Sequence, residues 1–127
     1  MTRQTVLKKL RTVLMAVALT VFAFGTTPAY AHAVSCINGQ PTVATYWLSK
    51  SGLKVNFQVE WNCYSWGTHI FSLDYGDTNM VFYTCWTNCS SGIFKTSHTY
   101  SAAGRYLTWP QGDVWNESEK AQWVTVP

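Results

Sequence analysis

Asp74 and Asp77 stand three positions apart around a Tyr-Gly pair in the segment SLDYGDT, residues 72–78. Carboxylates at that spacing could join a calcium site, flank a glycosidic bond or tie a turn. Calcium gathers about six to eight oxygen ligands, so these two side chains would need further donors from elsewhere. A glycosidase sets its carboxylates face to face across a cleft, whereas these share one tight turn. The turn reading asks least, because an Asp side chain accepts hydrogen bonds from nearby backbone and Gly76 permits the bend. Asp74 and Asp77 are kept as the metal expectation, for calcium. No other cofactor and no catalytic residue is expected.

The remaining groups that could do chemistry point elsewhere. A zinc site would need Cys63, His69, Cys85 and Cys89 to converge, at a spacing that matches none of the usual zinc patterns. Nucleophilic catalysis lacks its local signature, since the sequence holds no Gly-x-Ser-x-Gly and its serines lie in turn-like settings.

These residues follow an export signal. Arg3, Lys8, Lys9 and Arg11 precede an apolar run from about Val13 to Phe24, and an Ala-x-Ala site follows at Ala29–Ala31. Residues 1–31 therefore read as a signal peptide cleaved after Ala31, with Ala33 as an alternative site. The apolar run is too short for a stable membrane span. Four of the nine basic residues lie in this leader and all six acidic ones lie beyond it, leaving five against six and a net charge of −1. That balance gives no electrostatic case for nucleic acid or an anionic membrane. Roughly 96 residues remain, enough for one domain and of the size that exported proteins staple with disulfides.

The elements that must position the candidates are strands. No long stretch carries a 3.6-residue period, and short alternating or β-branched segments are separated by turn residues instead. Thr42–Leu48 is closed by SKSG, and Leu53–Trp61 alternates cleanly. In that run Leu53, Val55, Phe57, Val59 and Trp61 face inward, while Lys54, Asn56, Gln58 and Glu60 face the other way. Thr68–Tyr75, Met80–Trp86, Ile93–Tyr100, Ala103–Trp109 and Ala121–Val126 follow, with a polar loop over 110–120. About seven strands, spaced by about a dozen residues, predict an all-β two-sheet sandwich spanning residues 34–127.

Strand order suggests the disulfides. If the first two strands pair about SKSG, partner numbers sum to about 100, and Cys36 with Cys63 sums to 99. Those two cysteines would then lie nearly opposite each other at the open end of the hairpin. Cys85 and Cys89 are four residues apart and close enough to staple one turn. Cys36–Cys63 and Cys85–Cys89 are the expected pairs among the three possible connectivities.

With the strands placed, FSLDYGDT (71–78), SHTYSAAGRYLTW (97–109) and the terminal WVTV (123–126) resemble the polycystic kidney disease (PKD) repeat, an immunoglobulin-like β-sandwich. Tyr75-Gly76-Asp77 matches the core of that family's first motif. His98-Thr99-Tyr100 with Gly104-Arg105-Tyr106 matches the second. Thr78 replaces the final glycine, four cysteines are atypical, and Pro110 must end its strand or occupy an edge. The resemblance implies a structural role for His98 and an extracellular interaction role for the domain. Gly104 is expected to take a positive φ, and a tyrosine hydroxyl to satisfy backbone at the corner.

Seven tryptophans exceed what so small a core holds comfortably. Trp61 follows the inward alternation of its strand. Trp66 in CYSWG, Trp86 beside Cys85 and Trp115 in GDVWNES fall in loops or at strand ends, and are the candidate ligand-binding residues. The leading expectation is a secreted, non-catalytic interaction module for an extracellular protein or surface partner. The alternative is a polysaccharide-binding module that uses exposed Trp and Tyr, and a secreted hydrolase is the remote third.

Overall fold

The computed structural model describes residues Val34–Pro127, which form one compact unit. The expected signal peptide, residues 1–31, and the alternative cleavage site at Ala33 lie outside the described residues. Eight strands follow in order: β1 Thr42–Ser51, β2 Lys54–Asn62, β3 His69–Asp74, β4 Met80–Cys85, β5 Gly92–Thr99, β6 Gly104–Gln111, β7 Ser118–Lys120 and β8 Gln122–Val126. No helix among the described residues is long and apolar enough to cross a membrane.

The strands form two four-stranded sheets, ordered β5-β2-β1-β7 and β4-β3-β6-β8. All pairings are antiparallel except β1 with β7, where Thr42 faces Ser118 in parallel. The chain crosses from one sheet to the other at Ala121, between β7 and β8. The core lies between the sheets. Val43, Val55, Phe57, Val59 and Trp61 meet Phe71, Leu73, Val124 and Val126 there, with Tyr64, Tyr75, Phe94 and Tyr100 closing the ends. Each large apolar side chain so buried contributes on the order of 1.5–3 kcal/mol. Trp61 stacks on Phe71 with ring centroids 4.0 Å apart and donates its indole N–H to the Cys89 carbonyl at 2.9 Å.

Both expected disulfides are present, Cys36–Cys63 and Cys85–Cys89. The hairpin that suggested the first has a different register. Ser51 faces Lys54 across a two-residue turn at Gly52, which has φ +59°, and Thr42 faces Asn62. Partner numbers therefore sum to 105 near the turn and 104 beyond a bulge between Trp47 and Ser49.

Two other expectations are refined and one is corrected. Gln58 and Glu60 point away from the core as predicted, yet both are buried, with the Gln58 amide donating to Glu60 at 2.6 Å. β2 is interior to its sheet, so Tyr46 and Lys95 flank Gln58 while Ala44 and Ile93 flank Glu60. Pro110 takes the second of its two expected settings, a local edge, and its strand runs on to Gln111. β6 pairs with β8 only over 104–108 and with β3 only over 109–111, so at Pro110 one side of the strand needs no N–H donor. Gly104 is not among the residues with positive φ, which fall instead at Gly76, Thr78, Cys63 and others.

Candidate functional site

The two ends of the sandwich differ in kind. One end holds the β1–β2, β3–β4 and β5–β6 turns, and there the motif residues are consumed by structure. Asp74 Oδ1 accepts from the Gly76 N–H at 2.8 Å, and Asp77 Oδ1 from the Asn79 N–H at 3.2 Å. Asp77 Oδ2 lies 2.6 Å from His98 Nε2. Burial pushes the Asp77 carboxyl upward in pKa, but the hydrogen bonds and charge of His98 and the Asn79 backbone outweigh it and hold the group below its usual range. Tyr75 stacks on His98 with planes 5° apart and centroids 4.0 Å apart. Tyr100 donates to the Tyr75 carbonyl at 2.9 Å, and Tyr106 to the Ala102 carbonyl at 2.7 Å. Three of the four Asp74 and Asp77 carboxylate oxygens thus have protein partners.

The opposite end carries three longer loops, residues 63–68, 86–91 and 112–117, each with one of the expected tryptophans. Trp66, Trp86 and Trp115 are 72%, 73% and 97% exposed. Hydrogen bonds tie the loops to one another. The Tyr64 N–H donates to Ser90 O at 3.1 Å, and the Cys89 N–H to Trp66 O at 3.3 Å. Thr68 Oγ1 donates to Trp86 O at 2.7 Å, and Tyr64 Oη to Glu117 Oε1 at 2.9 Å. The Cys85–Cys89 bridge closes the middle loop, and Val114, next to Trp115, packs on the core. The aromatic side chains stand in water on a braced frame.

His69 braces the same frame, a role that local sequence did not reveal. Its Nδ1 lies 2.7 Å from Asp113 Oδ1, and its Nε2 lies 3.0 Å from Ser65 Oγ. The atoms follow Ser-His-Asp order, but Nε2 is also 2.9 Å from the Ser65 carbonyl oxygen. A nucleophilic serine needs an unprotonated Nε2 to take its proton, whereas a carbonyl oxygen there needs an N–H. The two contacts ask for opposite states, and the geometry is that of a tie between loops. Asp113 Oδ2 reinforces it by accepting from the Ile70 N–H at 2.8 Å.

Glu117 anchors the Trp115 loop through both oxygens, accepting from Tyr64 Oη and, at 2.8 Å, from the Gly112 N–H. Burial, with a hydrogen bond and charge from Glu119, pushes its carboxyl up to about 7, although Gly112 and Tyr64 pull the other way. An acid raised in the folded state ionises first in the unfolded one. The native fold therefore loses stability as pH rises from the ordinary Glu value of 4.5 towards about 7. Tm of the wild type relative to Glu117→Gln is expected to fall between pH 4.5 and 7, then level off. Parallel profiles for the two proteins would remove Glu117 as the cause.

A second aromatic surface escaped sequence reasoning. The outer face of the β4-β3-β6-β8 sheet exposes Ile70, Met80, Phe82, Trp109 and Trp123. The alternation of β6 could have placed Trp109 there, but only the β6–β8 register sets Leu107 opposite Trp123 and brings Trp109 diagonal to it. Arg105 lies over the Trp123 ring at 4.1 Å, and Trp109 donates to Glu119 Oε1 at 2.7 Å.

No family model matches the chain, and no curated protein matches it. Among solved structures, the PKD domain of an M14-like peptidase from a Thermoplasmatales archaeon is similar with a TM-score of 0.50 and 18% identity. The alignment covers 68% of this chain and 95% of that domain. At this identity the likeness is one of fold, and it agrees with two sheets of immunoglobulin-like order.

Proposed function

We propose that this PKD-like domain is a secreted, non-catalytic interaction module that engages an extracellular protein or surface partner through its loop end. The exposure of Trp66, Trp86 and Trp115 on three cross-tied loops carries the reading. Large aromatic side chains held in water by a rigid frame offer contact area at little conformational cost, the property of binding hot spots. Two disulfides support an oxidising compartment, and hence export.

A polysaccharide is the second reading, favoured by the exposed Trp109 and Trp123 on the outer sheet face beside Ser72, Asp74 and Gln111. The readings separate on one experiment. The Trp66→Ala, Trp86→Ala, Trp115→Ala variant is titrated against immobilised extracellular-matrix proteins and soluble polysaccharides beside the wild type. We expect a loss of at least about tenfold in affinity for a protein ligand, about 1.4 kcal/mol. Unfolding should shift little, because exposed substitutions are worth roughly ±0.5 kcal/mol. Equal affinity in variant and wild type, or flat titrations throughout, would contradict the assignment of the loop end.

A further inference from the structure

The loop end has a charge pattern that its tryptophans alone do not explain. Segments 34–41, 63–68, 86–91 and 112–117 contain no Lys or Arg, while the last contributes Asp113 and Glu117, and Glu119 follows within β7. The basic side chains of the described residues are Lys50, Lys54, Lys95, Arg105 and Lys120, all outside those segments. This chain also shows what its exposed indoles accept. Lys50 Nζ lies 4.4 Å from the centre of the Trp47 ring, and the Arg105 guanidinium 4.1 Å from that of Trp123. Both cation–ring contacts lie away from the loop end. Trp66, Trp86 and Trp115 stand on loops without Lys or Arg, and the Trp115 loop alone supplies carboxylates, Asp113 and Glu117.

Resting on the binding role proposed above, we infer that the loop end receives a cationic segment of a protein partner, a stretch bearing Lys or Arg side chains. Its ammonium or guanidinium groups would lie over the indole faces, with Asp113, Glu117 and Glu119 supplying the opposing charge. An exposed cation–ring contact is weakly favourable and strengthens when partly desolvated, so several together give useful affinity. Complementary charge at the rim also speeds encounter and makes it depend on salt. The groups facing Glu117 are Tyr64 and Gly112 through hydrogen bonds and Glu119 from β7, with Asp113 and His69 joined in the adjacent tie. Below neutral pH Glu117 holds a proton and the surface is less negative. Above it Glu117, still tied to Tyr64 and Gly112, adds a negative charge to the surface.

Short oligo-lysine and oligo-arginine peptides, oligo-glutamate, dextran sulfate and neutral dextran are titrated into the intact protein while tryptophan fluorescence is followed. The cationic peptides alone are expected to shift the emission. Their affinity should fall at least about tenfold in the Trp66→Ala, Trp86→Ala, Trp115→Ala variant and from about 50 to about 300 mM salt. A rise in affinity between about pH 5.5 and 8 is also expected, and should be lost in Glu117→Gln, whose thermal unfolding at the lower pH checks the fold. Cationic binding that survives the triple variant would overturn the inference. Trp-dependent binding of neutral or anionic polymers instead of cationic peptides would overturn the charge assignment and leave the interaction surface standing. No response to any probe would remove both.

Discussion

Replacing Gly76 by alanine is expected to destabilise the domain by about 3 kcal/mol and lower Tm by roughly 12–24 °C for a domain of this size. Two causes add. Gly76 has φ +87°, where a Cβ costs about 1–2 kcal/mol. A Cβ at that position would also stand 2.5 Å from Leu107 O and 3.1 Å from Leu107 N, both backbone atoms of β6 that cannot swing aside. Relieving such a clash costs about 1–3 kcal/mol more. Thermal unfolding followed by circular dichroism measures the shift. A loss below about 1 kcal/mol would show that the turn relaxes freely. Gly39→Ala is the natural control, since Gly39 has φ +73° but a Cβ added there would meet no heavy atom within 4 Å.

Removing the Cys36–Cys63 bridge with paired serine substitutions is expected to cost about 3.5 kcal/mol, against about 2 kcal/mol for Cys85–Cys89. The difference follows from loop-closure entropy, because the first bridge spans 27 residues and the second four. The longer bridge fastens residues before β1 to the exit of β2, where Asn62 Nδ2 also reaches Val34 O at 3.2 Å. The shorter one closes a loop that hydrogen bonds already hold. Urea unfolding of the two double variants gives both values. A larger loss for Cys85–Cys89 would mean that this loop owes its form to the bridge.

How much of this was legible in the sequence depends on the range of the interaction. Alternation from Leu53 to Trp61 is a local property of an extended chain, and it placed Trp61 in the core correctly. The Cys85–Cys89 staple is equally local. The β1–β2 register was not legible, since a bulge and a two-residue turn at Gly52 shift the partners by four or five positions without altering the alternation. Burial of Gln58 and Glu60 depends on neighbours from β1 and β5, which only topology supplies. The site divides in the same way. Trp66, Trp86 and Trp115 could be picked out by their loop settings, but the contacts that gather those loops join residues far apart in the chain. His69 meets Asp113 across 44 positions and Tyr64 meets Glu117 across 53. His98 was recognisable as structural through the resemblance to the PKD signature, and Asp77 could be read as a turn residue from its place beside Gly76; their 2.6 Å contact joins the two.

The proposed division of roles sets a structural turn end against a loop end that recognises a partner. Seven tryptophans allow a direct reading, because each indole N–H gives its own signal in a nitrogen–proton correlation spectrum. Adding oligo-arginine peptide to the isotope-labelled protein is predicted to shift the Trp66, Trp86 and Trp115 indole signals and leave that of buried Trp61 in place. Shifts confined to Trp109 and Trp123, or an unchanged spectrum at saturating peptide, would contradict it.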